Sequence, residues 1–246
     1  MVEANNRCGQ SDRSAYNRMP ADFRAGCLVL LLSLACLTAF SRSADAQDPP
    51  REQYIPILCV TTGDKPTGIV MYLMVLFAKR DDSSGLDVHF LSGPGRLSQK
   101  AQIATTQAIS GTARAMGLST DAWSIGLSVP YPGLIIDGDS LSAMVGLAVV
   151  AMAKGETVPR HRVISGTVTS DGRIGPVGHV GLKVIAAHQA GLRMVLVPSA
   201  TSGGWVTPSS MQISHVGTVR HAYQTLMAPR SLFADGYPRE AGANPS

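Results

Sequence analysis

Charge is scarce in this chain. Only 15% of its 246 residues are Asp, Glu, Lys or Arg, against 45% hydrophobic residues, which excludes a disordered polypeptide and supplies apolar material for one substantial core. The formal net charge of +4 is spread along the sequence, and no basic stripe of the kind that tracks phosphates is present, so nucleic acid is not an expected partner. His-Glu-x-x-His and related metal-ligand spacings are missing among the six histidines and four cysteines, and no metal or other cofactor is predicted. A Gly-x-x-x-x-Gly-Lys-[Ser/Thr] phosphate loop is also missing, as is any tandem repeat. Cysteine is sparse too: Cys8, Cys27 and Cys36 all precede residue 47, which leaves Cys59 without a partner and predicts no internal disulfide beyond that point.

What is present begins with the fourteen-residue apolar run CLVLLLSLACLTAF at 27–40, preceded by Arg24 and followed by Ala44-Asp45-Ala46, a small-x-small cleavage pattern ahead of Gln47. Residues 1–46 therefore read as a secretory signal peptide, with Met19 as an alternative start that gives a conventional short leading segment. An uncleaved membrane anchor is the competing reading, but the run falls short of the roughly 20 residues that span a bilayer. The stretch before Cys36 matches a lipoprotein cleavage box poorly, because Ser33 stands where an apolar residue is wanted. The expected location is outside the cytoplasm, periplasmic or extracellular.

The remainder divides into a polar linker at 47–54, a folded domain at 55–228 and a Pro/Gly-rich tail at 229–246 expected to be disordered. Within the domain, apolar and β-branched runs at 57–63, 67–78, 86–93, 123–132, 193–199 and 211–218 predict strands. Ser98 caps a predicted helix running to Gly117, with Ile103, Ile109, Ala113 and Met116 on its apolar face. Residues 141–155 are apolar almost all round, as in a buried helix. Residues 162–178 read as one hairpin turning at Asp171-Gly172, followed by a short helix closed by Gly191 and a terminal helix at 219–227. Strands and helices interleave irregularly, so the expected fold is mixed α/β (α+β) and is not forced onto a doubly wound sheet.

The string Gly138-Asp139-Ser140-Leu141 invites an esterase reading, which its surroundings exclude. Ser140 lies about ninety residues into the domain, and His221, the last histidine, has Thr218 three residues ahead of it where that chemistry wants aspartate. Ser140 nevertheless stands just before a buried helix, where unpaired backbone N–H groups are ready-made oxyanion donors. Its base is to be found downstream: His179 and Lys183 both follow the 171–178 segment, and a lysine among Leu182, Val184 and Ile185 becomes a base when burial disfavours its ammonium form.

From Gly93 to Met227 the chain resembles the proteolytic domain of Lon proteases, which use a Ser-Lys dyad. Gly138-Asp139-Ser140 is similar to the Gly-Asp-Ser-Ala-Ser segment of the archaeal-type branch, and Gly155, Ser165-Gly166, Asp171-Gly172-Arg173 and Pro176-Val177-Gly178 follow in register up to Lys183, 43 residues after Ser140. The resemblance implies a Lon proteolytic-domain-like fold and a serine endopeptidase in which Ser140 attacks the peptide carbonyl and Lys183 carries the proton. Ser165, where threonine is usual, is expected to orient the lysine, and Asp137 and Asp139 to supply helix N-terminal charge and capping. The pattern departs from the family at Thr167, which replaces a common glutamate, and at Gly181, which replaces a first lysine. Lacking a nucleotide loop, the domain is expected to act without ATP on unfolded or flexible protein, or with a delivery partner. The family also implies a homo-oligomeric ring. A catalytically silent Lon-fold binding domain at the cell envelope is the rival expectation. Trp123 and Trp205 are expected to pack rather than bind.

Overall fold

The computed structural model describes residues 51–201, 204 and 208–229. The predicted signal segment, Trp205 and the tail from 230 onward lie outside them. Eleven strands and four helices alternate irregularly along these residues, giving the mixed α/β architecture expected. Among them no helix is long and apolar enough to cross a membrane.

A four-stranded sheet, ordered β1-β2-β5-β3, is built from β1 (Arg51–Val60), β2 (Gly68–Lys79), β5 (Trp123–Ser128) and β3 (Asp87–Leu91). β1 and β2 form a long antiparallel hairpin running from Arg51↔Phe77 to Val60↔Gly68, and only the β3–β5 pair is parallel. The first strand thus begins at Arg51, inside the segment read as a linker: residues 51–54 pair with Met74–Phe77, and Gln53 exchanges hydrogen bonds with the backbone of Val158. Backbone pairing and this side-chain anchor outweigh the polar composition that suggested a lead-in. Alternation along β2 places Leu73, Val75 and Phe77 in the core, where Phe77 meets Trp123 edge-on at 5.5 Å. Trp123 is a packing residue.

Behind this sheet lie α1 (Gln99–Ala115) and α2 (Ser142–Ala153). Ser98 caps α1 by accepting the N–H of Ala101. The buried face of α1 is only partly the predicted one: Ile109 and Ala113 turn inward as expected, joined by Ala101, Thr105, Ala108 and Thr112, while Ile103 is exposed and Met116 only half buried. Small residues face α2 because the two helices pack closely. A Cβ at Gly146 of α2 would come within 2.5 Å of Thr112 Oγ1 and 2.8 Å of the Ala108 carbonyl oxygen. Helix α2 is buried from Ser142 through Met152, as its all-round apolarity predicts.

Residues 162–178 do not form one hairpin. β7 (Arg162–Ile164) joins a second, all-parallel sheet ordered β11-β10-β7, with β10 at Met194–Pro198 and β11 at Gln212–Val216. Only β8 (Thr167–Val168) and β9 (Ile174–Gly175) turn back on each other about Asp171-Gly172. All three residues of β7 are buried beside β10, Val163 and Ile164 as core side chains and Arg162 through its hydrogen bonds, which a hairpin arm would not give them. Helix α3 (Val180–Gln189) precedes β10, and α4 (Val219–Met227) follows β11. Buried Arg162 donates to the carbonyls of Leu226 and Ala228 at 2.9 and 2.7 Å, fixing the end of α4. Two short strands missed in the sequence, β4 (Arg96–Leu97) and β6 (Ile135–Ile136), pair in parallel and deliver the chain to residue 137.

Candidate active site

Residues 137–141 leave β6 and enter α2 through a turn made possible by Gly138, whose φ of 99° suits only glycine. This turn sets Ser140 just before the first turn of α2. The Ser140 carbonyl accepts the Gly166 N–H at 2.9 Å, and the Gly166 carbonyl accepts the Ala143 N–H at 3.1 Å, so the stretch after β7 grips the serine from both sides.

Lys183 comes from the first turn of α3. That helix opens on His179 in the left-handed region, φ 57°, with the His179 carbonyl accepting the Lys183 N–H. The lysine side chain is only 5% exposed, and its Nζ lies 2.9 Å from Ser140 Oγ and 3.0 Å from Ser165 Oγ. Burial pushes the ammonium below the usual lysine range, with Cys59 and Asp139 pulling in the opposite direction. A lysine so placed has both a reason to lose its proton and a hydroxyl to take one from. The structure thus brings together three of the predicted residues, Ser140, Lys183 and Ser165, around one nitrogen.

The carboxylates behave differently from expectation. Neither Asp137 nor Asp139 caps α2, which has no side-chain cap and no acid in its first turn. The Asp139 main-chain carbonyl instead accepts the Ser142 N–H, closing the turn with backbone alone. Asp137 is exposed and accepts the hydroxyl of Ser98, the capping residue of α1, a bond that, together with the Gly138 N–H, holds its carboxyl below the usual range. It therefore ties the serine turn to the neighbouring helix. Asp139 lies 3.8 Å from Lys100 Nζ on α1.

These groups open onto a cleft of about 510 Å³. One bank is Leu134–Leu141; the other is the end of β1, Leu58–Thr62, with Ile69 and Met71 of β2 and Gly178 and His179 ahead of α3. Cys59, the free thiol, faces this cleft, and burial pushes its pKa up to about 11 against the pull of Lys183. Sequence reasoning gave Cys59, Ser98 and Lys100 no place at the site, and no local motif marks them. They arrive by strand pairing and helix packing. His179 lines the cleft but makes no bond to Ser140, which is served by Lys183. Among the described residues no group of three His, Cys, Asp or Glu side chains is arranged to hold a metal ion.

Comparison with known proteins now places the geometry. Residues 96–206 match the Lon protease (S16) C-terminal proteolytic domain. The Lon match contains Ser140, Ser165 and Lys183 and covers the chain from β4 through β10. A Lon protease of Roseiflexus castenholzii is 32% identical over 109 residues, 43% of this chain and 14% of that protein. One from Mycolicibacterium smegmatis is 34% identical over 104 residues, 42% of this chain and 13% of its own length. Lon protease 2 of Sorangium cellulosum is 37% identical over 71 residues, 29% of this chain and 9% of that protein. The chain thus spans only a small part of the Lon proteases it matches, and its mixed α/β fold is consistent with that of the Lon proteolytic domain.

Proposed function

We propose that this protein is an exported Lon-like serine endopeptidase that hydrolyses peptide bonds with a Ser140–Lys183 dyad and without ATP. The observation that carries the reading is Lys183 Nζ, buried and 2.9 Å from Ser140 Oγ. In this mechanism the neutral amine of Lys183 removes the Ser140 hydroxyl proton as the oxygen attacks the peptide carbonyl, and then protonates the departing amine. Backbone N–H groups of the serine turn, other than those of Ser142 and Ala143 that are already bonded, stabilise the oxyanion. Ser165 accepts a hydrogen bond from Lys183 and keeps the amine aimed at Ser140 through both proton transfers. Water then attacks the acyl-serine, with Lys183 again as base.

Export is supported by the apolar run at 27–40 and the Ala44-Asp45-Ala46 pattern. Action without ATP is supported by the lack of a phosphate-loop motif in this sequence. The rival, a silent Lon-fold binding domain, is favoured by Gly181 and Thr167, which alter the surroundings of Lys183.

The test is degradation of an unfolded casein-type substrate by the full chain in the absence of nucleotide, beside Ser140→Ala and Lys183→Ala. Cleavage lost in both variants establishes the dyad. A folded wild type that cuts nothing, with or without ATP, favours the silent domain. Export is tested separately by the intact mass of the protein recovered from expressing cells: a chain starting at Gln47 supports it, and an untrimmed chain confined to the cytoplasm refutes it.

A further inference from the structure

The cleft combines apolar walls with a one-sided distribution of charge at its mouth. Leu58, Ile69, Met71 and Ile135 supply the walls, and the two carboxylates, Asp137 and Asp139, lie on the same bank as Ser140. The opposing nitrogen bases are not equivalent to them. Lys183 is withdrawn, 5% exposed and committed to two hydroxyls, while His179 belongs to the other bank. Lys100 stands 3.8 Å from Asp139 with its side chain 64% exposed, a loose pair that a ligand's own cation can replace. Asp137 is exposed, accepts from two neutral donors, Ser98 and the Gly138 N–H, and shares the field of Lys100 with Asp139, so one lysine faces two carboxylates and the bank keeps a net negative charge.

We infer that the cleft selects extended peptides carrying a lysine or arginine close to an apolar residue at the cut position, with Asp139 and Asp137 as the specificity-determining residues. This deepens the reading given above and rests on its claim that the cleft holds a peptide. The distance scale fits: neighbouring residues Asp139 and Ser140 have Cα atoms about 3.8 Å apart, and an extended peptide advances about 3.3 Å per residue. A basic side chain within two residues of the scissile bond therefore reaches this bank, while its apolar neighbour enters the walls. An acidic side chain in the same place meets like charge.

The experiment uses the full chain carrying Ser140→Ala and three fluorescein-labelled peptides identical except for Lys, Gln or Glu beside a single Leu, with binding followed by anisotropy. The Lys peptide binds about tenfold more tightly than the Glu peptide at low ionic strength, as two partly screened charge pairs allow. The ratio falls toward one at 1 M salt, where the Debye length is about 3 Å. It also falls toward one when Asp137→Asn and Asp139→Asn are added. The amide that replaces the Asp137 carboxylate still offers an oxygen to Ser98, so the serine turn is retained, and an unchanged thermal melt verifies it. Equal affinity for the Lys and Glu peptides, a ratio that survives in the double variant, or no binding of any peptide overturns the inference. Wild-type protein incubated with the same peptides separates the two ideas. A binding ratio without cleavage sinks the peptidase and keeps the basic preference, whereas cleavage of all three with equal kcat/KM keeps the peptidase and removes the preference.

Discussion

Helices α2 and α3 carry the two halves of the site and are built on opposite plans. Helix α2 is buried on every side and enters directly from the serine turn, so Ser140 inherits the rigidity of the core. Helix α3 is short, buries Val180, Lys183, Val184, Ala186 and Ala187, and leaves Ile185 at 46% exposure. Ser140 is thus positioned by backbone and packing, whereas the Lys183 amine is positioned at the end of a long side chain by two hydroxyl contacts. Errors in the first half should propagate through folding, and errors in the second through chemistry.

The sharpest break of that contrast is removal of the reacting atoms themselves. Ser140→Ala and Lys183→Ala should each lower kcat on a peptide substrate by about a thousandfold or more while the thermal melts stay cooperative, because catalytic partners acting as one unit fail together. Lys183→Arg should not rescue, since guanidinium does not deprotonate in the accessible range. If Lys183→Arg retained substantial activity, the base would have to be another group.

Next in size is the packing of α2. Gly146→Val places methyl groups where Thr112 and the Ala108 carbonyl already stand, and should cost about 1–3 kcal/mol or more in chemical denaturation. Ile185→Ser on exposed α3 should change stability by only about 0.5 kcal/mol. Equal losses in the two variants would erase the distinction between the helices.

A smaller effect is expected at the lysine's supports. Ser165→Ala should reduce kcat about tenfold with little change in KM, as one of two contacts aiming the amine is lost. The pH profile gives the accompanying signature. In the proposed dyad Lys183 works as the free amine, and burial lowers its pKa from the ordinary 10.5, so kcat/KM should rise with pH through an apparent pKa below that value. Asp139 favours the charged form, and Asp139→Asn should move this limb to lower pH. The linked stability follows the same sign. Between the folded and unfolded pKa values the unfolded chain binds more protons, so stability rises with pH in that window relative to Lys183→Met.

The mildest change is His179→Gly. It relieves a left-handed φ of 57° at the start of α3 and should raise stability by about 0.5–1 kcal/mol. A loss of stability instead would mean that the imidazole packs productively against the cleft.

What the sequence disclosed follows the reach of each signal. The terminal helix at 219–227, the Ser98 cap and the apolar helix after Ser140 were legible because periodicity, capping and hydropathy are local. The register from Ser140 to Lys183 was legible through family resemblance, and the structure sets Lys183 Nζ 3.0 Å from Ser165 Oγ. The departure of 162–164 into a parallel sheet was not legible, since a three-residue strand, Arg-Val-Ile, carries no mark of its partner. Nor was the tie from Asp137 to Ser98, because a carboxylate before a helix looks like a cap until tertiary packing offers it a hydroxyl from another helix. The inward face of α1 was read correctly at Ile109 and Ala113 but not at Ile103, for a related reason: close approach to Gly146 calls for small residues such as Ala108 and Thr112, which only the neighbouring helix reveals.

The adjoining residues Ser165 and Gly166 have a consequence for which length changes the chain can absorb. Ser165 holds Lys183 and Gly166 holds Ser140, so one peptide bond fixes the offset between the two halves of the site. A single residue inserted between them would move one contact by about 3.3 Å relative to the other, beyond the tolerance of any hydrogen bond. The same insertion among the exposed residues Asp81–Ser84 would lengthen a turn and leave the dyad aligned.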